Sequence, residues 1–479
     1  MPQFPSQPPT VAVVGGGLAG LAAGSALASA GFRVTLLERR PYLGGRASSY
    51  QHPGTGEVID NCQHVLLGCC TNLIEFYERT GVADSIRWFE KMTFLEPGGR
   101  VSEIGPSSLP APLHTAPAFL RAACLNFPDK LAIARAMMAL APATPHDTGE
   151  PFLAWLRRHG QTDRAIDRFW KTILVSALNE DVDRMAVPYA AQVMRESFLK
   201  SAAAGRMGVP TIPLTDLYNA AGEYIRARGG VVLCRTSVDS FRAEMSHVRL
   251  GIAPGGAIDG GAANRSGDDI FDYVVLAVPF DGLARLLPVT SASQPLRDSL
   301  ARFETSPITG IHLWFDREIS DLEHAVLLDR TIQWMFHKSK LQKRDQNGQG
   351  SYVELVVSSS KSLVEKPRQE IVDLALLELK EFFPAARDAQ LVKSTVIKEI
   401  HATYSPKPGV ELNRPQPQTV WPRVYLAGDW TATGWPATME GAVRSGYLAA
   451  QSVARVAGKR DAAFLVPDLA PTGFMRLFG

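Results

Sequence analysis

A chain of 479 residues exceeds what one hydrophobic core organises, so two domains are expected. Its 46% hydrophobic and 20% charged residues are those of a soluble globular protein, and 50 basic against 48 acidic side chains exclude a bulk electrostatic attraction to nucleic acid or anionic lipid. Any membrane contact has to be local and apolar.

The first 32 residues carry no charge, yet "MPQFPSQPPT" lacks a basic n-region, and the stretch 11–32 holds six glycines, too weakly apolar for a good span. "TVAVVGGGLAGLAAGSALASAGFRVTLLERR" instead reads as a strand over 10–14, a tight turn, a helix over about 18–30 and a strand over 33–37. Gly15, Gly17 and Gly20 fit G-x-G-x-x-G: Gly15 permits the turn, Gly17 lets backbone approach a pyrophosphate, and Gly20 lets helix pack on strand. The amides at Gly17, Leu18 and Ala19, with the positive end of the helix dipole, favour a diphosphate. Glu38, with Arg39 beside it, ends the second strand, where a carboxylate accepts hydrogen bonds from an adenosine ribose and would repel a ribose phosphate. Nicotinamide and flavin dinucleotides both remain open at this point.

The next residues, "RRPYLGGRASS", carry Gly44-Gly45-Arg46, which resembles the double-glycine signature of the flavin amine oxidase and carotenoid desaturase superfamily. The resemblance implies an α/β architecture: a Rossmann-like FAD-binding domain, a discontinuous mixed α+β substrate domain, and FAD as cofactor with Gly44, Gly45 and Arg46 at its flavin end. The superfamily often has arginine where this chain has Tyr42. In "DNCQHVLLGC" (60–69), Cys62 stands where the resemblance predicts glycine. Five cysteines (Cys62, Cys69, Cys70, Cys124 and Cys234), odd in number and without a C-x-x-C pair, indicate neither a zinc site nor a disulfide framework, so no metal and reduced cytoplasmic thiols are expected.

Residues 116–142 have apolar positions at helical spacing, which fits substrate-domain core or a lipid-facing mouth. "GGVVLCRTSVDSF" reads as a strand and turn in which, by the resemblance, the Val238 backbone meets the adenine. Residues 253–269 read as a Gly, Asn and Asp-rich hairpin excursion, and 271–280 as a strand returning to the FAD domain. In "YLAGDWTATGWPATMEGAVRSG" (425–446) a strand over 424–427 ends at Gly428-Asp429 and a helix starts near Met439, resembling the superfamily's C-terminal FAD motif. Asp429 would then accept from ribityl hydroxyls or sit beside the pyrophosphate, and amides near Met439 would face the isoalloxazine pyrimidine edge. Glu440 reads as a helix-start acid. Trp430 and Trp435 are candidates for the substrate-tunnel wall or for plain packing. The tail, with Phe474, Met475, Leu477 and Phe478 around Arg476, reads as a docked end or a membrane foot.

Because the two turns sit at opposite chain ends, the FAD-binding domain is assembled from 1–85, 213–300 and 401–460, the substrate domain from 86–212 and 301–400, with 461–479 as a tail. Residues 60–69 and 414–446 further resemble the hydroxysqualene dehydroxylases, squalene-associated flavoenzymes of bacterial hopanoid pathways. That implies reduction of the long-chain isoprenoid hydroxysqualene to squalene with loss of water, by an electron donor the sequence does not identify. Ionising the allylic carbon–oxygen bond calls for a general acid, for which His64 leads and Asp60 and Tyr404 follow. A carotenoid or phytoene-type desaturase shares substrate class and fold and differs in the direction of electron flow. An amine oxidase would usually carry a lysine on the strand aligned with 306–316, which has none. A non-catalytic prenyl-binding escort would not need the complete motif set. The expected setting is cytoplasmic, with peripheral contact at the inner face of the membrane left open and no nucleic-acid partner.

Overall fold

The computed structural model describes residues 8–253, 268–342 and 350–478. The excursion expected at 253–269 lies almost entirely outside these residues.

The strand Thr10–Val14 pairs in parallel with Arg33–Leu37 on one side and Tyr273–Leu276 on the other. Val231–Leu233 and Val424–Leu426 complete a five-stranded parallel sheet. Strands covered on both faces read as unbroken apolar runs, which is what "VAVV" and "YVVL" are. Side chains alternate across the strand: Val11 and Val13 cluster with the helices Leu18–Ser29, Leu214–Arg226 and Met439–Val456. Ala12 and Val14 cluster with an antiparallel meander of Val238–Ala243, Val248–Ile252 and Asp268–Phe271. The expected strand over 424–427 is thus a member of the same sheet as the first strand, separated from it by Tyr273–Leu276.

A seven-stranded sheet runs in the order Leu391–Tyr404, Thr305–Phe315, Ser351–Ser358, Trp334–His337, His324–Leu327, Met92–Leu95, Val101–Ile104. The same period of two divides it. Ile311, Leu313, Met335 and Leu355 pack against the helix Arg368–Phe382, while Ile308, Trp334, Phe336 and Val356 face the opposite way and line a cavity. Ile173, Ala177 and Val193, from helices Thr172–Leu178 and Val187–Met194, line it as well.

Residues 116–142, apolar at helical spacing, form two helices, Ala116–Arg121 and Phe127–Leu140. The break is a capping box: the Asn126 side chain accepts from the Asp129 amide at 3.0 Å, and the Asp129 carboxylate accepts from the Asn126 amide at 2.9 Å. Ala132, Ile133, Ala136 and Leu140 face the core, whereas Leu120, Phe127, Leu131 and Met138 are exposed. The tail is docked, with the Phe474 amide donating to the Ala111 carbonyl at 2.8 Å and Met475 buried, yet Phe474, Leu477 and Phe478 stay exposed. No helix among the described residues is long and apolar enough to cross a membrane.

Candidate functional site

The three glycines of the first turn meet different constraints. Gly15 has φ +110°, and a Cβ there would stand 2.4 Å from the Ala277 carbonyl oxygen. At Gly20 a Cβ would stand 1.9 Å from the Gly15 oxygen, so the helix is pressed onto the carbonyl of its own turn more than onto the strand. Gly17 is different: φ is −76°, and a Cβ would meet only Gly45 Cα at 3.9 Å. Gly17, Leu18 and Ala19 all line the cavity, and no side chain among the described residues caps this helix start. Its first N–H groups, which no side chain among the described residues takes, stand at the positive end of the dipole and could hold a diphosphate. Glu38 is buried, its two carboxylate oxygens accepting from the Gly16 amide at 2.6 Å and the Arg40 amide at 2.7 Å. Each oxygen keeps a second lone pair. Glu38, Arg39 and Val238 also line the cavity.

Gly44 and Gly45, at φ +102° and +64°, lay the next loop over this turn. The Gly44 amide donates to the Gly16 carbonyl at 2.9 Å. Arg46 then reaches across the molecule: its Nη2 bonds Asp429 Oδ1 at 2.7 Å and its Nη1 bonds the Ala402 carbonyl at 2.8 Å. Burial acts to lower the Arg46 pKa, but the Asp429 carboxylate outweighs it, so the guanidinium stays charged. The glycine turn at the chain's start and the aspartate turn near its end thus meet at one cavity, which Gly428, Asp429, Trp430, Trp435 and Met439 line as well. Both tryptophans contact it, Trp430 with its Nε1 donating to the Val278 carbonyl at 3.0 Å.

Two supports of the second turn were not read from the sequence. Buried Arg414 donates to the carbonyls of Asp429 (3.2 Å), Thr431 (2.5 Å) and Trp435 (2.7 Å), and to Thr433 Oγ1 (3.0 Å). An arginine in a proline-rich stretch beside the motif was the only signal. Glu440 is not simply an acid for its own helix: its oxygens accept from the Asn72 and Leu73 amides at 3.2 and 2.7 Å, capping the neighbouring helix Thr71–Thr80.

The cavity, of about 470 Å³, continues from these turns to the apolar wall of Met92, Phe94, Trp334, Phe336 and Val356. Three residues expected as acids have different fates. His64 lines the cavity, but its Nδ1 lies 2.7 Å from the Cys62 carbonyl and so carries the hydrogen it donates. Burial holds its pKa below the usual histidine value, leaving a neutral ring whose Nε2 is an acceptor; it takes a proton rather than giving one. Asp60 is buried off the wall and bonded to Lys338 Nζ (2.6 Å), Ser49 Oγ (2.5 Å) and the Leu214 amide (3.1 Å). Burial alone would raise its pKa, but the Lys338 ammonium beside it and these hydrogen bonds hold the carboxyl well below the usual carboxylate range, so it has no proton to donate. Tyr404 is turned away into the core, edge-on to Phe303, while its neighbours Ala402 and Thr403 line the cavity; burial pushes its phenol up to about 12. Cys62 does not have a positive φ, so cysteine sits there without backbone strain. Glu399, which the sequence reading did not select, lines the wall and accepts from Asn61 Nδ2 at 3.1 Å.

These residues fit a dinucleotide with an extended second half: open backbone at Gly17, a helix start that no side chain among the described residues caps, a fixed carboxylate, and a second turn joined to the first by an ion pair. Comparison with known proteins agrees. The chain is 28% identical over 469 residues to the 15-cis-phytoene desaturase of Solanum lycopersicum, covering 94% of this chain and 78% of that one. It is 25% identical over 476 residues to the zeta-carotene desaturase of Synechocystis sp., covering 92% and 96%. In fold it is similar to an oxidoreductase from Methanosarcina mazei (TM-score 0.69, 18% identity, 93% of this chain and 100% of that one). It is similar also to a putrescine oxidase solved with putrescine (TM-score 0.68, 17%, 95% and 100%). Residues 18–454 match the model of the flavin containing amine oxidoreductases; the chain belongs to that family, and its cofactor is FAD.

Proposed function

We propose that this protein exchanges hydride at an allylic carbon of a long-chain isoprenoid, in the dehydrogenating direction of a carotenoid-type desaturase. The observation that carries the reading is the single cavity in which the FAD-type turns, joined by Arg46 and Asp429, run on into a wall of apolar sheet. The names of its desaturase relatives support the direction.

In this reading the Gly17, Leu18 and Ala19 amides hold the diphosphate, Glu38 the adenosine ribose, and the Val238 backbone the adenine. Gly44, Gly45, Arg46, Gly428, Asp429 and Met439 hold the flavin end, and Arg39 borders the ribose. Residues 1–85, 213–300 and 401–460 make up the FAD-binding domain. Bound FAD supplies two-electron hydride chemistry. The chain's own residues do the rest: Trp334, Phe336 and Val356 orient the hydrocarbon and exclude water, and Trp430 and Trp435 border the reacting end. One substrate carbon loses hydride, its neighbour loses a proton to His64 Nε2, and the electrons of that second C–H bond become the new double bond.

A second reading is favoured by the stretches 60–69 and 414–446: hydroxysqualene reduced to squalene, the hydroxyl leaving as water. It requires a proton donor, which His64 in its neutral state is not. Anaerobic incubations separate the two. Oxidised holoprotein with phytoene should yield products two hydrogens lighter by mass spectrometry; squalene from hydroxysqualene with reduced FAD would instead establish the second reading, and neither product would overturn both. The exposed Leu120, Phe127, Leu131 and Met138, with Leu477 and Phe478, fit shallow peripheral contact with a bilayer, through which such a substrate would arrive. Flotation with neutral phospholipid vesicles, lost on Phe127→Ser, tests that contact.

A further inference from the structure

Where the apolar cavity wall ends, the same sheet face becomes charged. Val356 lines the cavity, and Glu354, two residues along the strand, projects to the same side. Glu354 pairs with Phe336 on one flank and His312 on the other, and Lys338 follows Phe336 by two residues. Lys338 and Glu354 have side chains 0% exposed, and Asp60 1%. Lys338 Nζ lies 2.6 Å from Asp60 Oδ2, 2.7 Å from Gln63 Oε1 and 3.4 Å from Glu354 Oε2. Over this cluster runs the loop whose Asn61, Cys62, Gln63 and His64 line the cavity. One ammonium therefore ties the loop to the sheet.

Stability does not explain the arrangement, because burying ions is costly and well-packed apolar replacements often do better. The two carboxylates are also unequal. Asp60 is saturated with donors, whereas Glu354 has only weak ones, Lys338 Nζ at 3.4 Å and the Gln63 backbone. A carboxyl so placed is least costly when protonated: burial, with Asp60 adding and Lys338 opposing, pushes it up to about 7. The other groups facing it are His312, whose Nδ1 meets the Tyr352 hydroxyl at 2.8 Å, and the buried Cys62 thiol.

We propose that Lys338 is a positioning residue that holds Gln63 and the Asp60–His64 loop against the reacting end of the cavity, and that proton exchange at Glu354 sets how firmly it does so. With Glu354 neutral, the ammonium's donors go to Asp60 and Gln63. With Glu354 ionised, a charged acceptor 3.4 Å away draws the ammonium off the neutral and weaker Gln63 Oε1, and that bond loosens. This rests on the reading that the loop borders the reacting end, so the first measurement needs no substrate.

The visible spectrum of the FAD-bound wild-type protein, titrated from pH 5.5 to 9, should show a one-proton transition near neutrality as the loop shifts. The isosteric Glu354→Gln should abolish it. In turnover, wild-type kcat should fall tenfold per pH unit above the transition with KM little changed, and Glu354→Gln should hold kcat flat. A charge-neutral pair, Asp60→Asn with Lys338→Met, should bind FAD and lose at least tenfold in kcat at every pH. Absence of the transition in the wild-type protein, or its persistence in Glu354→Gln, overturns the proposal. A spectral transition without turnover of any isoprenoid would leave the proposal standing and count against the substrate reading.

Discussion

Gly17→Ala separates a glycine needed by a ligand from one needed by the fold. Its φ of −76° and ψ of 177° suit alanine, and the new methyl would meet nothing nearer than Gly45 Cα at 3.9 Å. The cofactor-free chain should therefore be unharmed, or gain about 0.4–1 kcal/mol because alanine restricts the unfolded state. If, as proposed, the Gly17, Leu18 and Ala19 amides hold the diphosphate, the same methyl would crowd the approach of a diphosphate oxygen to them. Displacing that oxygen should weaken charge-assisted hydrogen bonds of roughly 1.5–3 kcal/mol, a loss on the order of tenfold to a hundredfold in affinity. Gly20→Ala is the contrast: with a Cβ 1.9 Å from the Gly15 oxygen, it should destabilise the chain itself by about 3 kcal/mol. Urea unfolding of the cofactor-free proteins and FAD titration by flavin fluorescence read the two quantities. A Gly17→Ala chain destabilised by more than about 1 kcal/mol, with unchanged FAD affinity, would refute the reasoning.

Gly446→Ala should push the helix Met439–Val456 off Leu18–Ser29, because its Cβ would stand 2.2 Å from the Ala19 carbonyl oxygen; we expect about 1–3 kcal/mol lost in thermal unfolding and faster FAD release. Arg414→Met strips the carbonyls of Asp429, Thr431 and Trp435 of a shared donor, and should cost roughly 3 kcal/mol and shed FAD, with Arg414→Lys recovering only part, as calorimetry and flavin content would show. For His64 the sign follows from its lowered pKa. As pH falls below 6.5 the unfolded chain takes up the proton first, so the native protein loses stability there, and His64→Gln should shrink, by its own share beside the buried His114, His324 and His337, the loss between urea midpoints taken at pH 7 and pH 5.

The first turn was legible because its demands are local. A strand, three spaced glycines and a helix of small residues specify their conformation within thirty or so residues, and the strands Thr10–Val14 and Arg33–Leu37 fall where the apolar runs placed them. The start of the last long helix at Met439 was equally local, set by Thr438, whose side chain caps the Gly441 amide at 3.1 Å. The helical spacing of apolar residues over 116–142 was legible as well, but the break between its two helices is set by the Asn126–Asp129 capping box, which apolar spacing does not register.

The sequence by itself determined that a dinucleotide turn opens the chain and a second glycine–aspartate turn nearly closes it. It did not determine how protons are held between them. Whether a histidine gives or takes a proton, or an aspartate has one to lose, depends on desolvation and on neighbours that arrive from elsewhere. Lys338 is 278 residues from Asp60, and Asp429 is 383 from Arg46. Turn geometry is set by adjacent bonds, whereas protonation is set by the field of everything packed nearby, and only the tertiary structure assembles that field.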